Sequence, residues 1–300
     1  MNAILDINNK SVSLIILGTV QDAGSPHIGC TKECCRDLFK NPDNSRKIVS
    51  IGIIDEINSK TYLFDATPDI TFQLQILQSK SGFNSKIVPD GIFLTHAHIG
   101  HYTGLMYLGR EALNAKNAEV FVMPRMKQFL ESNSPWDQLI GLKNINLNLL
   151  SNEISVELTD SIKVTPVLVP HRDEFSETAG YKIEGPLKKV LFIPDIDKWD
   201  KWSKWNKNII KEIEHVDYAF LDATFFDENE IGNSGMKEIP HPFVFESMEL
   251  FKDLPEVEKA KIHFIHFNHT NPLLNPESIQ TLNVIENGFN IARADQVFVL

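Results

Sequence analysis

The sequence predicts an α/β protein built in layers, with strand ends delivering polar residues into loops. Three observations point there. Apolar runs of roughly four to eight residues, closed by Gly, Pro, Asn or Asp, recur along the chain and read as buried strands. Segments with apolar residues at helical spacing lie between them. No repeat of twenty to fifty residues and no low-complexity linker divides the alternation, so residues 1–300 read as a single domain.

In chain order, Val12–Leu17 reads as a strand ended by Gly18, and Lys47–Ile54 and Thr61–Phe64 as two more around a polar turn. Between the first and second lies a Gly-, Pro-, Asp- and Cys-containing loop at about 18–46, a length that is more often functional than accidental. A helix follows Pro68, carrying Ile70, Leu74 and Leu77. Val88–Thr95 reads as a buried strand running into His96, followed by a helix carrying Leu105, Leu108 and Leu113. Val120–Met123 is a strand, and Met126–Leu130 starts a helix. Ile145–Leu168 is strand-like and turn-rich; Tyr181–Ile183 and Val190–Ile193 continue the strands. Lys198–Lys211 reads as a helix feeding a strand at Tyr218–Leu221. Ser247–Leu254 reads as a helix, Lys261–Phe267 as a strand, Pro276–Asn287 as a helix and Gln296–Leu300 as a closing strand.

Composition narrows the function classes. Hydrophobic residues make up 42% and charged residues 23%, an ordinary globular balance. Twenty-nine basic against 40 acidic side chains give a net charge of -11, which opposes non-specific binding to nucleic acid or to an anionic membrane. No apolar run approaches eighteen residues and the first ten carry no apolar signal core, so a cytoplasmic protein is expected. Three cysteines in one stretch are no secreted disulfide framework. P-loop, dinucleotide, GxSxG and kinase motifs are absent. Trp199, Trp202 and Trp205 recur every third residue; packing against the body explains them better than a lid or a homodimer contact, though a homodimer stays possible.

The histidines carry the chemistry. Thr95-His96-Ala97-His98-Ile99-Gly100-His101 puts three imidazoles in six positions where a strand ends, a spacing suited to one or two metal ions. Val169-Pro170-His171 ends another strand, Ile193-Pro194-Asp195 a third, and Ile262–His269 supplies three more histidines. Alternation puts His263 on the opposite face from His266.

This order, HxHxxH followed by a strand-end His, a strand-end Asp and a late His, resembles the metallo-β-lactamase fold superfamily. Within it the chain is similar to the branch of the pyrroloquinoline quinone biosynthesis protein B. That likeness rests on Leu17-Gly18-Thr19 with its Cys-containing loop, Leu221-Asp222-Ala223-Thr224, Ile239-Pro240-His241-Pro242 and Ile265-His266-Phe267-Asn268-His269-Thr270-Asn271-Pro272. The resemblance implies a four-layer αββα sandwich. It implies a first metal on His96, His98 and His171 and a second on His101 and His266, with Asp195 bridging and serving catalysis together with His266 and His269. The usual signature is HxHxDH, and Gly100 stands at its aspartate. Asp69, Asp22 and His27 are candidates to replace that carboxylate, and a helix-start or loop role fits each as well. His269 and Asp197 could instead orient metal-bound imidazoles. Asp222 could orient a ligand or merely cap the segment after its strand, and His241 could face the substrate or equally serve a structural role between Pro240 and Pro242. Cys30, Cys34 and Cys35 could hold a structural zinc only with a fourth ligand such as His27.

Such a site implies metal-activated water acting on an ester, amide, lactone or phosphodiester of a small molecule or peptide. Zinc, one or two ions, leads; iron or manganese are the other choices. An iron-dependent oxygenase or oxidase modifying a cofactor or peptide is the second reading, and a non-catalytic metal-binding protein the third.

Overall fold

A computed structural model describes residues 10–83, 86–230 and 239–300. The strand runs expected from periodicity form two seven-stranded mixed sheets. The first contains β1 (Val12–Gly18), β2 (Ser50–Asp55), β3 (Lys60–Phe64), β4 (Gly91–Phe93), β5 (Ala118–Val122) and β6 (Ile145–Leu149), side by side in chain order. The second contains β7 (Val156–Thr159), β8 (Ile162–Val169), β9 (Thr178–Glu184), β10 (Lys189–Ile193), β11 (Tyr218–Asp222), β12 (Ile262–Ile265) and β13 (Asn290–Ile291). The last strand, β14 (Val297–Val299), returns to the first sheet and pairs antiparallel with β1. Each sheet opens with antiparallel pairs and ends with parallel ones: β3, β4, β5 and β6 in the first, β10 to β13 in the second.

Alternation along the strands sorts side chains into three cores, which define four layers. Leu14, Ile16, Ile51, Ile53, Phe64 and Phe93 meet Tyr181, Ile183, Phe192 and Phe220 between the sheets. On the outer side of the first sheet, Ile15, Leu17, Leu63 and Ile92 pack on helix residues Ile70, Leu74, Leu77, Met126 and Leu130. Outside the second, Leu191, Ile193, Leu221 and Phe264 pack on Trp199, Trp202, Ile213, Phe251 and Val284. The result is helix, sheet, sheet, helix, the αββα sandwich. An aromatic column ties the sheets: Phe64, Phe93 and Phe121 stack at 4.8 and 4.4 Å, with the edge of Tyr181 against the first two.

Local departures have physical causes. The helix expected after His101 is only Ile99–Tyr102 followed by a 3-10 turn over Thr103–Leu108. Gly104 lies so close to the preceding strand exit that a Cβ there would sit 2.1 Å from the Thr67 carbonyl oxygen, and Leu113 is left in an exposed turn. The Trp/Lys helix splits into Trp199–Ser203 and Ile209–Glu214. Asn206 turns left-handed between them, and the Asn208 side chain accepts from the Ile210 and Lys211 amides. Trp199 and Trp202 are buried, donating their indole N–H to Ser247 Oγ and the Leu168 carbonyl, while Trp205 is half exposed. Short helices at Trp136–Gly141 and Glu256–Lys259 had no periodic signal.

The long first loop is not structureless. Val20 bridges both Ile48 and Phe267, and the Gln21 amide donates to the Phe267 carbonyl at 2.8 Å. One short helix, Glu33–Arg36, lies within it. Strapped in this way, the loop crosses from the first sheet to the end of β12.

Candidate metal centre

The polar residues gather where β3, β4, β8, β10, β11 and β12 end. His96, His98 and His101 follow β4, His171 follows β8, Asp195 follows β10 and His266 follows β12. The His-rich turn is held from the second sheet: the Ala97 amide donates to Ser176 Oγ, and the Ala179 amide to the Thr95 carbonyl.

Three groups of donors share Asp195: with His96, His98 and His171; with Asp22, His101 and His266; and with Asp222 and His241, each with ligand atoms within 4.8 Å of one another. Asp195 Oδ2 lies 3.4 Å from His96 Nε2, 3.2 Å from His171 Nε2 and 3.9 Å from His101 Nε2. His171 Nε2 is 3.2 Å from His98 Nδ1. Asp22 Oδ1 is 3.0 Å from His101 Nε2 and 3.4 Å from His266 Nε2.

Each imidazole is fixed by its other nitrogen. Thr95 Oγ1 donates to Asp65 Oδ2 at 3.0 Å and accepts from His96 Nδ1 at 2.9 Å, so His96 turns Nε2 toward Asp195. Thr224 repeats the relay, donating to Asp222 Oδ1 at 2.7 Å and accepting from His266 Nδ1 at 2.8 Å. His101 Nδ1 donates to Asp65 at 2.7 Å and His171 Nδ1 to Asp197 at 3.1 Å. His98 Nε2 meets Glu174 at 3.1 Å and so presents Nδ1. Orientation of the ligating nitrogen through an acceptor on the far nitrogen is what metal-binding imidazoles require.

Burial prevails at His96 and His98 and lowers their pKa values, whereas neighbouring carboxylates overcome it and raise those of His101, His171 and His266. Burial and the neighbouring His101 hold His96 well below its ordinary value, keeping it neutral. Burial works against ionisation of Asp195, but His171, His241 and His266 outweigh it and hold the carboxylate far down. His96 Nε2 and Asp195 Oδ1 are buried and satisfied by no hydrogen bond. A buried orphan acceptor facing a buried carboxylate is costly. The donor set therefore fits an ion, and three imidazoles with a carboxylate suit zinc or iron. His266 itself sits at φ 71°, a left-handed conformation that a non-glycine residue keeps only where the surroundings impose it.

His241 adds a third feature. Its Nδ1 lies 2.9 Å from Asp222 Oδ2 and 3.2 Å from Asp195 Oδ1. Burial disfavours its charge, yet Asp222 and Asp195 prevail and raise it well above the ordinary histidine value.

The remaining candidates fall elsewhere. His269 stands apart from Asp195: its Nδ1 lies 3.5 and 3.4 Å from Cys34 and Cys35 Sγ, and it joins Cys30, Cys34 and Cys35 in a four-donor group. Its near neighbours are the cysteines, because two residues beyond Phe267 the chain has already turned toward the first loop. His27 is not the fourth member of that group; its ring lies tilted against His269, centroids 4.5 Å apart. Asp69 is engaged by the Ile48 amide at 2.8 Å. His263, as alternation required, lies between the sheets against Phe220 and Phe298. Sequence reasoning missed Asp65, Thr95, Thr224 and Glu174 as orienting groups. Asp65 had a signal, an acid at the end of a strand, as Asp195 and Asp222 also are; exposed Glu174 had none.

A four-layer sandwich with clustered histidines and a shared aspartate at its strand ends defines a class, and comparison with known proteins names it. Residues 60–267 match the model of the beta-lactamase superfamily domain, and the chain belongs to that family. It is similar to coenzyme PQQ synthesis protein B of Methylococcus capsulatus, 24% identical over 92% of this chain and 96% of the relative. The same protein of Nitrosococcus oceani is 25% identical over 92% and 96%. The fold matches zinc-bound PqqB from Methylobacterium extorquens with a TM-score of 0.76 at 18% identity, covering 96% of this chain and all of the other. It also matches a diphosphatase of the PhnP family, TM-score 0.62 at 18% identity, covering 96% and 97%.

Proposed function

We propose that this chain, folded as one domain, is a metal-dependent hydrolase. The observation that carries the reading is Asp195 Oδ2, buried and within 3.2 to 3.9 Å of imidazole nitrogens from two donor groups. One carboxylate oxygen between two sets of oriented imidazoles suits a shared ligand. His96, His98 and His171 would hold a first zinc with Asp195, and His101 and His266 a second. Bound ions lower the pKa of water to near neutral and polarise a carbonyl or phosphoryl oxygen. Asp195 positions the water between the two groups. His241, its Nδ1 held by Asp222 at 2.9 Å, is the residue beside Asp195 that would give a proton to the departing oxygen or nitrogen.

The substrate class is an ester, amide, lactone or phosphodiester of a small molecule or peptide, and the likeness to a diphosphatase puts phosphoryl substrates first in a screen. Zinc is favoured by the likeness to zinc-bound PqqB. Among the described residues no helix is long and apolar enough to cross a membrane. Cys30, Cys34, Cys35 and His269, with three sulfurs and one nitrogen, have the donor count of a closed structural zinc site.

The test is elemental analysis of protein purified without added metal, beside a screen of activated esters, lactones and phosphodiesters. Metal lost together with turnover in His98→Ala supports the reading. Folded wild type that binds no metal at the histidine cluster sinks it. One iron with oxygen consumption on a peptide would replace hydrolysis with oxidation.

A further inference from the structure

We propose that Asp22 completes the second metal site, its carboxylate reaching in from the first loop because no side chain can stand at position 100. The inference rests on the metal-dependent reading above and assigns a ligand that the histidine motif lacks. A Cβ built on Gly100 would lie 2.4 Å from Asp22 Cα and 2.8 Å from its Cβ and Cγ. The space into which a side chain at 100 would project is thus filled by Asp22 itself. The two residues are joined directly, since the Gly100 amide donates to Asp22 Oδ2 at 3.3 Å. The other oxygen, Oδ1, faces His101 Nε2 at 3.0 Å and His266 Nε2 at 3.4 Å.

The placement is built, not incidental. Gln21 donates its amide to the Phe267 carbonyl, and Phe267 returns its own amide to the Thr19 carbonyl, each at 2.8 Å. This pair of bonds clamps the residues beside Asp22 to those beside His266. Val20 also bridges Ile48, whose carbonyl and amide are fixed by Gln73 and Asp69. Asp22 is only 12% exposed at its side chain. A carboxylate largely withdrawn from solvent and set between two imidazoles, together with the shared Asp195, gives the second group two nitrogens and two oxygens, a set that suits zinc or iron.

Metal-free protein titrated with cobalt(II) tests this without reference to turnover. Cobalt takes zinc's geometry, and a near-ultraviolet thiolate band counts any ion at the cysteines separately. The wild type should bind two further ions. Asp22→Asn, which keeps the side chain's shape, should retain one and weaken the other by more than the roughly 100-fold that loss of an outer partner costs. Gly100→Ala, which leaves the carboxylate intact but presses on Asp22 Cα, should weaken the same ion. Unchanged binding of both ions by Asp22→Asn overturns the assignment. Wild type with one ion besides any thiolate-bound one also overturns it, while leaving the first site and the hydrolase reading standing. Wild type with none overturns both.

Discussion

At Asp195 two demands meet in one side chain. It is buried, which disfavours its charge, and it is surrounded by His171, His241 and His266, which require that charge. His241 borders the centre, its Nδ1 2.9 Å from Asp222 Oδ2 and 3.2 Å from Asp195 Oδ1, so its role in proton transfer is separated from metal binding by assaying both. His241→Gln should lower kcat by about 10²–10⁴-fold with metal content unchanged, as expected for loss of a general acid. Activity of the wild type should fall as pH rises through the raised pKa of His241, and the variant should lack that alkaline limb. A variant that loses its metal instead would make His241 a ligand.

His263 offers a second prediction at the same scale. Burial among Phe220, Tyr218 and Phe298 pushes it down to about 4 from 6.5. Between those values the unfolded chain holds a proton that the folded chain refuses, so stability falls as pH drops from 6.5 toward 4. His263→Phe removes this term and should flatten the loss between pH 7 and pH 5, by about 1–2 kcal/mol in urea unfolding. Parallel pH profiles for the two proteins would count against it.

At the scale of elements, the first loop matters most. Its early part carries Asp22 and its later part Cys30, Cys34 and Cys35, which close on His269, three residues beyond His266. The two donor groups are therefore attached to the same two stretches of chain. Cys34→Ser should loosen the loop and weaken metal binding at the histidine centre, though no cysteine touches it. Equal cobalt affinity at the histidines in wild type and variant would show the groups to be independent. Here the loop's length was legible as unusual, but its course was not. Val20, Gln21 and Phe267 pair through backbone groups, which any side chains would permit.

Over the whole molecule, the centre joins the two sheets. His96, His98 and His101 follow a strand of the first, while His171, Asp195 and His266 follow strands of the second. An ion bound to both stabilises their packing by linkage, about 2.7 kcal/mol per site when free metal exceeds Kd a hundredfold. Removing metal with a chelator should lower Tm by several degrees, and restoring zinc should return it. A Tm indifferent to chelation would mean that the ion does not cross-link the sheets. By contrast Phe93→Ala, in the aromatic column between the sheets, should cost about 3–5 kcal/mol whether or not metal is present.

The sequence by itself determined the strands and most of the donors. Strands buried on both faces read as continuous apolar runs, and His96, His171 and Asp195 stand at the ends of such runs; the layering and the full ligand set followed from the resemblance of the motifs. The tertiary structure decided which acids and histidines belong together. Asp22 lies 78 residues before Gly100, and His269 some 234 residues after Cys35, and no periodicity connects them. Their meeting depends on where strands end relative to one another in two packed sheets, a property of register and backbone pairing that local composition does not encode.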